Sequence, residues 1–229
     1  MSGRVQGGVP RMGDMSDTRA VSLVQRERAA LADALEAGGP TAPTVLPGWE
    51  AADLLEHLLL REQRPDLMIG PKLPVPPLAR KAQEGLEVLR SLPWADRVEK
   101  FRSGPQKLSP VRVLDGLMNT IEYYIHHEDV RRAQPDWEPR TLSAEDQAEL
   151  FTALKRMGRM LVRADVEITL LSPQGSIRIP AKKTSRGAVS VHGNPSELVL
   201  WTFGRDDAQV SVQGEDSAIR ALENAKRGV

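Results

Sequence analysis

Apolar residues recur at helical spacing over the first two thirds of the chain and at alternating spacing over the last third. Over residues 18–37, Val21, Leu23, Val24, Leu31 and Leu35 fall near one stripe, and Gly38-Gly39-Pro40 stops it. A turn at Leu46-Pro47-Gly48-Trp49 leads into a second predicted helix over 50–63. Five prolines within 64–77 predict a loop, followed by a third helix over 78–91. Ser109-Pro110 reads as a cap and first helical position, opening a long helix over 109–133 that Gln134-Pro135 ends. Ser143 caps another, with Glu145 and Asp146 in its first turn, running to residue 163.

The period then changes. Residues 166–170, 176–179, 188–191 and 208–212 alternate, as half-buried strands do. A helix over 195–203, capped by Asn194 and closed by Gly204, separates the last two, and a final helix is predicted over 215–226. The pattern predicts an α+β protein with a helical part over 15–163 and a small α/β part over 164–229. Residues 1–14, with four glycines, a proline and no periodicity, read as a disordered leader, and Met15 is an alternative start.

Composition narrows the function. Thirty-one basic and thirty-one acidic side chains cancel, so no global field draws the chain to nucleic acid or anionic membrane. Aromatics at 4% are too few for a row of base-stacking platforms. With no cysteine, disulfides, a Cys-ligated zinc and a protein thiol nucleophile are excluded. No run of 18 apolar residues spans a membrane and no apolar secretion signal opens the chain, so the expected location is the cytoplasm. The expected state is a monomer or a homodimer.

The segment Asn119-Thr120-Ile121-Glu122-Tyr123-Tyr124-Ile125-His126-His127-Glu128-Asp129 carries the candidate chemistry. Glu122 and His126 stand one turn apart on one helix face, which is half of a metal site. His57, beside the Leu54/Leu55/Leu58/Leu59 stripe of another helix, can supply a third ligand. An N/O/N set suits zinc and related divalent ions and leaves a position open for water or substrate. Alternatives stand beside this reading: Glu122/His126 as a chance helical pair, His57 as a rim residue, and Asp53/His57 as a plain i,i+4 pair. His127 points about 100° away from His126, so it reads as a surface residue or as a support behind the ligands, not as a ligand. Glu128, Asp129, Arg131 and Arg132 read as the solvated end of the helix. Asp129, three residues past His126, can instead hold the second imidazole nitrogen. Trp49 is expected to anchor its turn into the helical layer. Asn194 to Glu197 reads as a helix cap, His192 as a strand residue without a role, and Tyr123 and Tyr124 as core or pocket lining.

Leu46-Pro47-Gly48-Trp49-Glu50-Ala51-Ala52-Asp53-Leu54-Leu55-Glu56-His57-Leu58 resembles the GW-x-x-x-D-L-x-x-H-L signature of the mycothiol-dependent maleylpyruvate isomerase N-terminal domain, a DinB-like four-helix metal-binding bundle. The segment from Asn119 to Asp129 is similar to the second block of that family. The resemblance implies a ligand triad of His57, Glu122 and His126. The stretch from Val189 to Leu198, followed by Gly204-Arg205, is similar to the small sterol-carrier-like domain that follows the bundle. It implies a role for Arg205 as a clamp for a substrate anion, although Gly204-Arg205 also reads as a helix stop and a surface arginine. The chain looks closest to an actinobacterial subfamily described as metal-binding. By resemblance the cofactors are a divalent metal, zinc first, and mycothiol as thiol cosubstrate. The implied activity is a transferase or isomerase acting on a small electrophile. The alternatives are a non-catalytic metal-binding or regulatory module, and a bundle that has lost its metal.

Overall fold

The computed structural model describes residues 21–69, 74–104, 116–182 and 185–228. The leader, Met15 and the Ser109-Pro110 cap lie outside these residues. The fold is α+β: seven helices precede a four-stranded sheet and a two-stranded ribbon among the described residues. The helices are α1 (Leu23–Gly38), α2 (Ala51–Gln63), α3 (Pro65–Ile69), α4 (Pro76–Ser91), α5 (Trp94–Arg102), α6 (Gly116–Arg131) and α7 (Ala144–Leu161). Then come β1 (Val162–Arg163), β2 (Glu167–Ser172), β3 (Gly175–Ile179), β4 (Ala188–His192), α8 (Pro195–Thr202), β5 (Ser211–Gly214), α9 (Asp216–Glu223) and β6 (Lys226–Arg227). No helix among the described residues is long and apolar enough to cross a membrane.

Helix α6 is the organising element. Every residue from Tyr123 to Val130 is buried, so it is enclosed on all sides. Tyr123 and Val130 face a leucine-rich core built by α1, α2, α4 and α5. Ile121, Tyr124 and Ile125 face a second core that α7, α8, α9 and the sheet complete. Both tyrosines are therefore core residues. The sheet has the order β3-β2-β4-β5, with β2 and β4 parallel and the outer pairs antiparallel. Its alternation sends Ile168, Leu170, Ile177, Ile179, Val189 and Val191 into that second core.

Several expected boundaries move. The proline-rich loop contains the short α3, and α4 starts at Pro76, because proline is tolerated in a first helical turn. Helix α5 was not legible: Trp94, Val98 and Phe101 supply its only large apolar side chains among charged ones. The expected strand over 208–212 begins only at Ser211, since the Gln209 amide donates to Glu197 Oε2 at 2.8 Å instead of to a neighbouring strand. The ends of α7 and of the last helix are clipped. Val162–Arg163 and Lys226–Arg227 leave their helices and pair as the antiparallel β1–β6 ribbon.

Candidate metal centre

His57 and its neighbours are set by the turn before α2. Gly48 takes a left-handed φ of 77° there, and the Trp49 amide donates to Leu46 O at 3.1 Å. Thr44 Oγ1 closes the turn on Trp49 O at 2.8 Å, and the Val45 amide reaches the backbone carbonyl of Asp129 at 3.0 Å. The start of α2 is thereby tied to α6. Asp53 accepts from the Glu50 amide at 3.0 Å, so its carboxylate caps α2. Asp53, expected to support His57 from behind, is exposed and engaged in this cap.

His57, Glu122 and His126 converge: one ligand-capable atom from each lies within 4.8 Å of the others. Glu122 Oε2 stands 3.4 Å from His126 Nε2. Two donors about 2.1 Å from one ion, at a tetrahedral angle, are also about 3.4 Å apart. The spacing and the N/O/N chemistry thus fit a divalent ion. The His57 and His126 rings meet edge-on, with centroids 5.4 Å apart.

The three line a cavity of about 390 Å³ with Leu46, Trp49, Arg61, Met68, Ile125, Phe203 and Arg205. Trp49 is 38% exposed and packs on the His57 ring at 5.6 Å, so it walls the cavity rather than anchoring the turn in the core. Arg61 escaped the sequence reading, although it sits one turn after His57 on the same face of α2. Its Nη1 donates to Asn119 Oδ1 at 2.8 Å and its Nε stands 3.8 Å from Glu122 Oε2.

Asp129 is fully buried and stands behind His126, its Oδ2 2.9 Å from Nδ1. Arg205 grips the same carboxylate. It reaches α6 because α8 ends in a Schellman turn: the Gly204 amide donates to Trp201 O and the Arg205 amide to Leu200 O, each at 3.0 Å. Gly204, at a φ of 84°, supplies the left-handed residue that this turn needs. The third nitrogen of Arg205 donates to Phe203 O at 2.8 Å. The expected anion clamp therefore lines the cavity with its guanidinium already engaged.

His127 is buried, with Nδ1 2.9 Å from Glu27 Oε2 on α1, away from the triad. The expected solvated end of α6 is in fact an ionic network. Glu27 also takes two bonds from Arg140, at 2.9 and 3.0 Å. Glu128 accepts from Arg140, Arg131 and Arg132, at 2.6, 2.8 and 2.7 Å. Arg132 continues to Glu197 of α8 at 2.7 Å. These charges join the helical layer to the sheet side, where a sequence pattern of mixed charges reads as surface. His192 bonds Ser190 Oγ at 2.8 Å on β4, apart from the cavity.

The electrostatics separate the two histidines. Burial lowers the His57 pKa, and repulsion from His126 and Arg61 adds to it, outweighing the attraction of Glu122. Burial acts the same way on His126, but hydrogen bonds to Asp129 and Glu122 overcome it and raise its pKa. Burial opposes the charge on Glu122, yet His126 and Arg61 hold its carboxyl below the usual range.

The fold and site define an α+β protein with a His/Glu/His pocket where α2, α6 and the turn after α8 meet. No family model and no curated protein matches the chain. Among solved structures it is similar to the mycothiol-dependent maleylpyruvate isomerase, at 17% identity and a TM-score of 0.47, over 86% of this chain and 92% of that one. A mutant of that enzyme matches at 15% identity with the same coverage and TM-score. Similarity of that degree assigns no activity.

Proposed function

We propose that the cavity is the divalent-metal centre of an enzyme, with His57, Glu122 and His126 as ligands and zinc as the ion. The convergence of three donor atoms within 4.8 Å carries this reading. An ion held there would supply a Lewis-acidic position for a thiol or a substrate oxygen. The resemblance of the motifs around His57 and Glu122 makes mycothiol the thiol, and a transfer or isomerisation of a small electrophile the reaction. His57, with its lowered pKa, is neutral and ready to donate a lone pair near pH 7. Asp129 fixes His126 with Nε2 facing Glu122. Trp49 and Phe203 form apolar walls that shed water from the cavity. Arg61 and Arg205 both line the cavity, and Arg61, whose guanidinium is the less engaged of the two, suits a substrate carrying a carboxylate.

A non-catalytic metal module would be favoured by a fourth protein ligand. The two residues suited to that role are engaged elsewhere, His127 with Glu27 and Asp53 with the Glu50 amide, which supports an open position.

The test is elemental analysis of protein purified without chelator, on wild type, Glu122→Gln and His57→Ala. It is followed by conjugation of mycothiol to a panel of electrophiles. One ion per wild-type chain, lost in both variants together with activity, is expected. A metal-free wild type, or equal activity in His57→Ala, refutes the proposal.

A further inference from the structure

A second cleft, of about 350 Å³, shares no residue with the His57 cavity. Arg163 of β1, Lys182 and Arg186 of the β3–β4 connection and Lys226 of β6 line it, with Asp165 as its one carboxylate. Four cations against one acid is a marked local excess in a chain whose charges cancel. Among the described residues none of the four has an ion-pair partner, and neither has Asp165. Arg227, the next residue along β6, is by contrast paired with Asp206 at 2.5 Å and laid over Trp201.

The ribbon makes the excess costly. Arg163 and Lys226 are directly opposed partners in the antiparallel β1–β6 pair. Like charges directly opposite one another destabilise such a pair. A local rule broken without an internal compensation is the mark of a functional position. The cleft is also built rather than incidental. The Lys182 amide donates to Ala164 O at 2.7 Å, the Arg186 amide to Asp165 O at 2.8 Å, and the Glu167 amide to Gly187 O at 3.0 Å. These bonds pin Lys182, Arg186 and Gly187 against the segment that carries Arg163 and Asp165. Arginine forks and lysine point charges together match the oxygens of a phosphate group. No aromatic side chain lines the cleft, so it offers nucleic-acid bases nothing to stack on.

We propose that this cleft binds a small ligand bearing a phosphate or pyrophosphate group through Arg163, Lys182, Arg186 and Lys226. Ligand charge then relieves the repulsion across the ribbon. The site stands independently of the metal centre.

The probe is sodium pyrophosphate, titrated at constant ionic strength against the full chain, read by thermal melting and by calorimetry. Wild type is expected to show a saturable rise in Tm. Arg163→Glu creates an opposite-charge pair with Lys226, so its Tm without ligand should equal or exceed that of wild type while its response to pyrophosphate disappears. Lys182→Ala and Arg186→Ala, both at exposed positions, should each weaken binding at least about tenfold. Inorganic phosphate, phosphatidylcholine vesicles containing phosphatidic acid, and duplex DNA form the comparison arms. Saturable binding of pyrophosphate or phosphate, lost in Arg163→Glu, supports the site. No saturable response in wild type, an equal response in Arg163→Glu, or binding of vesicles or DNA without binding of pyrophosphate overturns it.

Discussion

Arg205 holds Asp129 with two nitrogens, Nε to Oδ1 at 2.8 Å and Nη2 to Oδ2 at 2.6 Å. Asp129 Oδ2 also meets His126 Nδ1. A residue from the turn after α8 therefore orients, through one buried carboxylate, an imidazole on α6. Removing Arg205 leaves that carboxylate buried with His126 as its remaining charged partner. Arg205→Ala is expected to cost about 3 kcal/mol of unfolding free energy, the range for breaking a buried pair from one side. Asp129→Asn in the same background should recover part of that loss. Urea melts of the two single variants and the double variant check this, and additive losses would contradict it.

Metal retention should follow the layers of the site. His57→Ala and Glu122→Gln each remove one of three proposed ligands and are expected to abolish stoichiometric zinc. Asp129→Asn leaves the three donors but frees the His126 ring. Loss of such an outer partner lowers metal affinity about 10- to 100-fold. Competition with a chromogenic chelator measures this. An unchanged affinity in Asp129→Asn would show that His126 needs no support.

Stability should peak in weak acid. Arg140 and His127 hold the Glu27 carboxyl low against the opposing effect of burial, and Arg140, Arg131 and Arg132 do the same for Glu128. Unfolded carboxylates titrate near about 4.3. Their contribution is complete above that value and is lost as pH falls through the lowered folded values. His126 runs the other way. Its folded pKa is raised, so its contribution is complete below about 6.5 and is lost as pH rises through the folded value. His57, with its lowered folded pKa, adds stability as pH rises toward about 6.5, so metal-free protein is expected to have its highest Tm at about pH 6.5. Zinc should shift that maximum upward, because Nε2 must shed its proton to bind. Thermal melts from pH 3 to 9, with and without zinc, test both limbs.

The helical layer was legible because its stripes are long and its stops are strong: Gly38-Gly39-Pro40 and Gln134-Pro135 fall where helices end. His57, Glu122 and His126, which the fold brings together, were candidates because Glu122 and His126 stand one helical turn apart, His57 sits beside a leucine stripe, and the two motifs that carry them resemble those of a metal-binding family. The ionic network was not. Glu128 and Arg132 look solvated in one dimension, and only the approach of Arg140 and Glu197 accounts for their burial. Arg205 was noticed, but its partner was not, since nothing local links it to Asp129. The β1–β6 ribbon was missed because two-residue strands carry no period.

Arg61 is the cavity residue whose role differs most from that of Arg205. Arg205 has its nitrogens on Asp129 and Phe203 O, whereas Arg61, among the described residues, makes one hydrogen bond, to Asn119, and a longer contact with Glu122. Arg61 is thus the guanidinium better able to turn toward a substrate carboxylate without breaking a buried pair. Arg61→Met keeps the aliphatic stem and removes the charge. Zinc stoichiometry should stay at the wild-type level and unfolding free energy within about 1 kcal/mol, as expected for a partly exposed side chain. KM for an anionic electrophile should rise about tenfold or more, in line with the loss of a charged hydrogen bond, while KM for an uncharged electrophile stays unchanged. A loss of zinc in Arg61→Met would instead assign the arginine to holding Glu122. Equal effects on charged and uncharged electrophiles would remove it from substrate recognition.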